Sequence, residues 1–231
     1  MVTKRQLIRA AIGFAAYLLL APALMFLAAG TTRWPTAWAY TLIMVVGTII
    51  SRLLVWRTNP DTLRERAKFA SAENTKPWDR ALVVIVGIGG PVTCMVVAGL
   101  DYRWGWSPEV PLAWQVAAAV AVTAAVGISV WAMVANAYFS AVARIQSDRG
   151  QQVVTSGPYA VVRHPSYASA VLLSVVMPVM LGTLWAWVPQ LGVIAALVIR
   201  TRLEDRMLRE ELEGYEAYAE EVRWRLVPGV W

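Results

Sequence analysis

Cysteine and histidine are almost missing from this chain of 231 residues, which contains only Cys94 and His164. A single cysteine cannot form an intrachain disulfide bond. One histidine and one distant cysteine also cannot supply the three or four ligands of a zinc site, so we expect no metal. Cys94 lies in the middle of an apolar run and His164 does not, which argues against a Cys–His nucleophilic site. We interpret Cys94 as a small packing residue.

Charged residues are scarce as well, at 16% of the chain, whereas 58% of the residues are hydrophobic. The apolar residues form runs that approach or exceed the roughly 20 residues that a membrane-crossing helix needs. The six runs are Leu7–Ala29, Ala37–Trp56, Ala81–Leu100, Leu112–Phe139, Tyr167–Leu181 and Trp185–Ile199. The last two are short and adjoin, so we expect a helical hairpin there. The sequence therefore predicts an all-α integral membrane protein with about six transmembrane segments, folded as one domain over residues 1–231.

Basic residues orient these segments, because Lys and Arg favour the cytoplasmic ends of membrane helices. With six crossings, only Arg33 and Arg103 of the 21 basic residues lie on the outer side. Both termini are then cytoplasmic, and we expect a protein of the cell inner membrane. Anionic lipid at the inner surface accounts for the net charge of +6. Membrane lipids are thus the expected neighbours, and no nucleic acid is implied.

The two inner loops differ in character. Asn59 and Pro60 start a short basic segment, Leu63–Phe69, which we expect to lie along the membrane surface. The second loop, residues 140–166, contains repeated helix breakers: Gly150, Gly157, Pro158 and Pro165. Irregular backbone beside a membrane persists only where protein or water satisfies its polar groups. This loop therefore indicates a functional site.

The segment after the sixth run is amphipathic. Its apolar residues recur at helical spacing, namely Leu208, Leu212, Tyr215, Ala219 and Val222. This pattern predicts one cytoplasmic C-terminal helix.

Three polar features near the inner side have either a purely structural or a functional interpretation. His164 can be an ordinary loop histidine or part of a site. Arg200 and Glu204 are four residues apart and share one helix face, so they can form a surface ion pair or a catalytic pair. Asn136 can form an interhelical hydrogen bond, which we favour, or contact a substrate.

Taken in order, these features form a pattern. It consists of Gly157-Pro158-Tyr159, Arg163-His164-Pro165-Ser166-Tyr167, Arg200 before Glu204-Asp205, then Tyr215, Tyr218 and Pro228. In this pattern residues 140–231 resemble the isoprenylcysteine carboxyl methyltransferase family, which belongs with phospholipid N-methyltransferases in one membrane methyltransferase superfamily. Two positions depart from the family. Ser169 stands where Gly is common, and Asp205 stands where Glu is usual.

The resemblance implies S-adenosylmethionine as cofactor and an acceptor that enters from the membrane, a lipid or a lipidated small molecule. The implied cofactor-binding residues are Val154, Gly157, Tyr159, Arg163, His164, Tyr167, Glu204 and Asp205. Among them, Arg163 is expected to hold the cofactor carboxylate. Arg200 and Glu204 are the implied catalytic residues. Arg200 would orient a carboxylate acceptor, and Glu204 would be the base for an amine or thiol.

The expected reaction is O-methylation of an isoprenylcysteine-type carboxylate. The alternatives are a phospholipid, other lipid or thiol methyltransferase, an NADPH-dependent membrane reductase of sterol-reductase type, and a non-enzymatic membrane or transport component. A soluble-type nucleotide-binding domain is excluded, because no Gly-rich loop follows a strand in an alternating strand–helix pattern.

Overall fold

The structure, a computed structural model, describes residues 4–67 and 74–231, with side chains from residue 12 onward. Within these ranges the chain is helical and contains no strand, so the predicted all-α fold is confirmed. The helices are α1 (Lys4–Ala29), α2 (Pro35–Thr58), α3 (Pro60–Ala67), α4 (Asp79–Val84), α5 (Gly90–Trp104), α6 (Leu112–Ala135), α7 (Pro165–Leu181), α8 (Trp187–Glu211) and α9 (Tyr215–Glu221). A π-helical segment, Ile85–Gly89, joins α4 to α5.

Five of the described segments are long and apolar enough to cross a membrane, and α7 is a shorter apolar helix. The five are Ile12–Ala29, Pro35–Thr58, Asp79–Trp104, Leu112–Ala135 and Leu184–Glu211. These helices support an integral membrane protein.

The helix ends form two groups at opposite ends of the bundle. At one end the buried Asp101 carboxylate accepts hydrogen bonds from Ser107 and from the backbone N–H of Trp185. At the other end Lys76 binds Glu211, and Thr62 donates to the carbonyl of Ala137. This second end corresponds to the inner side of the sequence-based topology.

One predicted boundary is wrong, and another helix extends beyond its apolar run. The fourth run was expected to stay helical to Phe139, but α6 ends at Ala135, where Asn136 takes an extended conformation. The sixth apolar run ends near Ile199, and α8 continues past it to Glu211, so it includes Arg200 and Glu204 on one helix. Its charged last turns remain helical, and Arg206 and Glu210 pair there at 2.7 Å.

The single amphipathic C-terminal helix is also wrong, because a turn interrupts it. Leu212 is extended at the end of α8, and Gly214 adopts φ +81° before α9 begins at Tyr215. The apolar residues that the pattern placed on one face still meet. Tyr215 and Ala219 of α9 pack with Leu208, Leu212 and Val222. Burial of this face is therefore achieved by a bent chain instead of a straight helix.

Close helix contacts define the core of the bundle. α1 packs on α5, and α7 packs on both α6 and α8. Gly99 permits the α1–α5 approach, since an added Cβ would lie 2.3 Å from the carbonyl oxygen of Met25. Cys94 is fully buried in this core, which confirms its interpretation as a packing residue.

The short helix α3 is anchored to the second inner loop. Thr62 Oγ1 donates to the carbonyl of Ala137 at 2.8 Å, and Glu65 Oε1 accepts from Arg144 Nε at 2.7 Å. Both acceptor and donor side chains are buried. The segment expected at the membrane surface thus packs one face on protein, while its predicted end, residues 68 and 69, lies outside the described residues.

Candidate active site

The turn Gly157-Pro158-Tyr159 lies against the inner end of α6. Gly157 has φ +62°, and an added Cβ would lie 3.1 Å from Nε1 of Trp131, so both the backbone and the contact require glycine. Asn136 follows the last residue of α6 and donates from Nδ2 to the hydroxyl of Tyr159 at 3.2 Å. Asn136 therefore makes a hydrogen bond, as favoured, but to the inner loop and not between two spans.

Tyr159 is buried and stays neutral. Burial raises the pKa of its hydroxyl well above the usual range, and the nearby Glu204 carboxylate raises it further against the hydrogen bond from Asn136. Its carbonyl accepts from the hydroxyl of Tyr218 at 2.7 Å. The turn is thus fixed both to α6 and to α9, close to Glu204.

Asp205 is the centre of a buried charge cluster. Its oxygens accept from Arg163 Nε at 2.7 Å, Arg225 Nε at 2.9 Å and the Tyr215 hydroxyl at 3.1 Å. His164 Nε2 lies 3.4 Å from the same carboxylate. Asp205 and Arg163 side chains are 1% and 2% exposed. We call these five residues the Asp205 cluster.

Arg163 connects this cluster to the C-terminal tail. Its Nη1 donates to the carbonyls of Val222 at 2.6 Å and Arg223 at 2.9 Å, at the end of α9. Its backbone N–H donates to the carbonyl of Trp224, and that of His164 donates to the carbonyl of Arg225. Arg163 was expected to hold a cofactor carboxylate. Its guanidinium is instead already bound to protein, to Asp205 on one side and to backbone carbonyls on the other.

Arg200 does not pair with Glu204. Its Nε and Nη2 bind the two oxygens of Asp79 at 2.7 and 3.2 Å, and Nη2 also donates to the carbonyl of Ala141. Arg200 and Asp79 side chains are 7% and 0% exposed. The surface-pair interpretation is therefore wrong. Asp79 further accepts from the N–H of Ala143 at 2.6 Å, which joins the start of α4, the second inner loop and α8.

Glu204 pairs with Tyr167 instead. The Tyr167 hydroxyl donates to Glu204 Oε2 at 2.6 Å. The Tyr167 ring lies beneath the Arg200 guanidinium, 5.3 Å from its central carbon, and stacks parallel to the His164 ring at 5.8 Å. Tyr167 thus links the Arg200–Asp79 pair to the Asp205 cluster.

Two polar atoms in this corner remain available. Among the residues that the structure describes, no hydrogen bond uses Nη1 of Arg200 or Oε1 of Glu204. A cation and an anion are therefore presented side by side, next to the aromatic rings of Tyr159 and Tyr167. Such a corner can bind a ligand that has both charged and aromatic parts.

The structure brings most of the expected site residues together and leaves one apart. Val154 is half-buried in the non-helical segment before Gly157. Its neighbour Val153, not Val154, packs against the α9 face. A cavity of about 380 Å³ beside Trp224 and Pro228 is lined by none of the expected site residues.

Asp79 is the site residue that the sequence interpretation missed. It lies 121 residues before Arg200, so no spacing relates the two. The one available signal was an acid directly at the start of an apolar run, where unpaired charge is costly.

The comparisons bear on the second half of the chain. Residues 117–210 match the sequence model described as the isoprenylcysteine carboxyl methyltransferase (ICMT) family. No curated protein sequence matches the chain significantly. The matched range includes Tyr159, Arg163, His164, Tyr167, Arg200, Glu204 and Asp205, whereas Asp79 lies outside it. With the apolar helices, this match supports a membrane methyltransferase, and residues 117–210 are similar to the isoprenylcysteine carboxyl methyltransferase family.

Proposed function

We propose that the protein is an S-adenosylmethionine-dependent methyltransferase that O-methylates a lipid-borne carboxylate of the isoprenylcysteine type. The active site and both termini are cytoplasmic in this proposal. The observation that carries it is the corner of Arg200, Glu204 and Tyr167 at the inner end of the bundle, inside the family-matched range. Its free donor and free acceptor fit the two substrates of such a reaction.

The donor set suits the cofactor. S-adenosylmethionine, when bound, supplies a methyl group on a positively charged sulfur. Glu204 is half-buried and keeps one oxygen for an ammonium group or a ribose hydroxyl. The rings of Tyr159, Tyr167 and His164 offer apolar faces for a nucleoside. Gly157 and Val154 belong to the loop that closes this side.

Arg163 and Asp205 have a different role in the proposal. Their charged groups bind each other, and Arg163 also binds the carbonyl of Val222, so they are not available to a ligand. We assign both to positioning, because they fix the His164 and Tyr167 segment against the C-terminal tail. This replaces the direct cofactor contacts expected from the sequence.

Arg200 is suited to orient an acceptor carboxylate. The bidentate contact with Asp79 fixes the plane of its guanidinium and directs Nη1 away from that pair. A planar, permanently charged group aligns a carboxylate better than a flexible ammonium does. Holding the attacking oxygen in line with the methyl group supplies much of the acceleration in such a displacement.

A carboxylate acceptor needs no base. The attacking oxygen is already an anion, so Glu204 takes up no proton and stays free to bind the cofactor. The positive sulfur and the negative oxygen lose their charges as the methyl group moves. A partly buried corner that excludes water therefore favours the reaction.

An apolar cavity offers a path for the acceptor's hydrocarbon chain. It has a volume of about 520 Å³ and lies between α2 and α6, lined by Ile43, Gly47, Val126 and Trp131 among others. Trp131 also contacts the Gly157 turn. The cavity thus ends beside a residue, Trp131, that also touches the loop next to the site, which supports entry from the membrane.

The test uses the purified protein in detergent. We expect calorimetry to show S-adenosylhomocysteine binding, and labelled S-adenosylmethionine to transfer its methyl group to N-acetyl-S-farnesylcysteine. The product should release its label in mild base, as a methyl ester does. Phosphatidylethanolamine vesicles serve as the amine acceptor, and NADPH serves as the competing ligand. If the protein bound NADPH but not S-adenosylhomocysteine, it would be a reductase and not a methyltransferase. If it bound neither ligand, the proposed enzymatic function would be wrong.

A further inference from the structure

Arg66 is a charged residue that the fold does not use. Its Nε atom is buried and has no hydrogen-bond partner. The ring of Phe139 lies 5.3 Å from the central carbon of its guanidinium. The neighbouring Arg64 behaves differently, because it is exposed and pairs with Asp61 at 2.7 Å.

The position of Arg66 is fixed by the anchoring of α3. Thr62 lies one helical turn before Arg66, and Glu65 is its neighbour in sequence. Both are buried against the second inner loop. Positions 62, 65 and 66 share one helix face. The same contacts that hold α3 to the loop therefore keep Arg66 on its protein-facing side.

This side of α3 faces the Arg200 corner. Burial, with smaller contributions from repulsion by Arg52 and Arg200, lowers the pKa of Arg66 to about 9, while Tyr167 acts in the opposite direction. The geometry agrees, because Arg66 lies over the ring of Phe139, and the carbonyl of Ala141, two residues further along the loop, accepts from Nη2 of Arg200 at 3.0 Å. The corner thus holds a second cation near Arg200, and Glu204 is already bonded to Tyr167.

Arg66 is half-buried, and a buried guanidinium nitrogen without a partner, such as its Nε, destabilises a fold unless a ligand completes it. We propose that Arg66 and Nη1 of Arg200 together bind a carboxylate at this site. The inference rests on the proposed function and adds α3, which lies outside the matched residues 117–210, to the substrate-binding surface. The proposed function makes the acceptor the source of that carboxylate. The methionine part of the cofactor is the other source, and the test distinguishes the two because binding of the cofactor carboxylate would move Arg200 from the acceptor to the cofactor. A protonated amine would be repelled by the two cations.

The first arm of the test measures ligand binding and turnover in Arg66→Gln. For an acceptor carboxylate, the KM for N-acetyl-S-farnesylcysteine should rise about 10- to 100-fold, while the affinity for S-adenosylhomocysteine stays unchanged. For the cofactor carboxylate, the affinity for S-adenosylhomocysteine should fall by that factor. The affinity for methylthioadenosine, which lacks the amino-acid part, should then stay the same. Arg64→Gln is the matched control and should resemble the parent in every assay.

The second arm measures thermal unfolding without ligand. A binding residue predicts that Arg66→Gln unfolds at the same or a higher temperature than the parent, because a desolvated, repelled charge is removed. A lower unfolding temperature than that of Arg64→Gln would assign Arg66 to the fold and overturn the proposal, even if the parent binds no cofactor.

The two proposals fail in different ways. An active parent with unchanged KM and affinities in Arg66→Gln would overturn only the role of Arg66, as expected if it merely faces lipid phosphate. A parent that neither binds S-adenosylhomocysteine nor transfers a methyl group would overturn the proposed function.

Discussion

At Arg200 the fold and the proposed chemistry use different nitrogens of one guanidinium group. Nε and Nη2 bind Asp79, and Nη1 is left for a substrate. Removing one partner of a buried ion pair commonly costs about 3–5 kcal/mol of stability, because the other charge stays buried without compensation. A simple alanine variant at Arg200 would therefore confuse loss of folding with loss of catalysis.

Tyr167→Phe is the cleanest single change in the corner. It removes the hydroxyl that donates to Glu204 Oε2 and keeps the ring that contacts Arg200 and His164. A hydrogen bond to a charged group contributes about 1.5–3 kcal/mol. We expect the calorimetric affinity for S-adenosylhomocysteine to fall by about tenfold or more, since Glu204 is no longer held in place.

Tyr138→Phe is the control for that variant. It removes a hydroxyl that donates to the carbonyl of Gly150 in the same inner loop, away from Glu204. Its affinity should equal that of the parent. If Tyr167→Phe bound the cofactor as tightly as Tyr138→Phe, Glu204 would not be a cofactor ligand.

Single residues were predictable where they form a local motif. Tyr167 and Glu204, on neighbouring helices, were both named from the family pattern, and the structure joins them. The partner of Arg200 was not predictable, because helix spacing relates residues within one helix and Asp79 lies on another. The bound state of Arg163 was not predictable either, since its acceptors are backbone carbonyls near Val222, which carry no sequence signal.

At the scale of elements, the second inner loop depends on two glycines with the same backbone conformation. Gly150 and Gly157 have φ of +60° and +62°. An added Cβ at Gly150 would meet open space, whereas at Gly157 it would crowd Trp131 and Ala135. Comparing alanine substitutions at the two glycines therefore separates two contributions to the loss of unfolding free energy: the backbone conformation and the contact with α6.

We expect Gly150→Ala to lose about 1–2 kcal/mol of unfolding free energy, the cost of left-handed backbone for alanine. Gly157→Ala should lose about 1–3 kcal/mol more, from crowding in a packed contact. It should also reduce methyl transfer, because Tyr159 is two residues away. Denaturant unfolding measures the difference, and equal losses in the two variants would show that the turn is not packed on α6 in this way.

Helix existence followed from the apolar runs, but helix ends did not. Apolar runs mark where a helix needs lipid or core, and α8 continues beyond its run because charged residues also form helix. The break at Gly214 overrode an amphipathic pattern that seemed continuous. A left-handed glycine ends a helix whatever the spacing of its neighbours.

At the scale of the molecule, the basic residues of the sequence and the ion pairs of the structure lie at the same end of the helix bundle. The contacts of Asp79, Asp205 and Glu65 with arginines all lie at the end of the bundle where the sequence places the basic residues. Sequence alone could place the basic residues at that end. It could not show that several of them are buried partners of acids and not free attractors of lipid.

Cysteine labelling tests the sidedness of this arrangement. The one natural cysteine, Cys94, is buried and should stay unlabelled. We expect Glu109→Cys, in the exposed outer loop, to react with an impermeant reagent on intact cells. Gly229→Cys, exposed near the C-terminus, should react only after the membrane is opened. Reaction of the residue 229 variant on intact cells would place the C-terminus and the proposed site outside.

The central claim is that Arg200 acts on the acceptor and not only on Asp79. The most direct measurement is kcat/KM of the double variant Asp79→Asn/Arg200→Gln, with S-adenosylhomocysteine affinity and unfolding temperature measured on the same preparation. The neutral pair leaves no unpaired buried charge, and Arg202→Gln, exposed on the same helix, is the control. We expect kcat/KM to fall roughly 100-fold, about 2.7 kcal/mol of transition-state stabilisation, with cofactor affinity nearly unchanged. A folded double variant with the kcat/KM of the parent would contradict the claim and leave Arg200 a structural partner of Asp79.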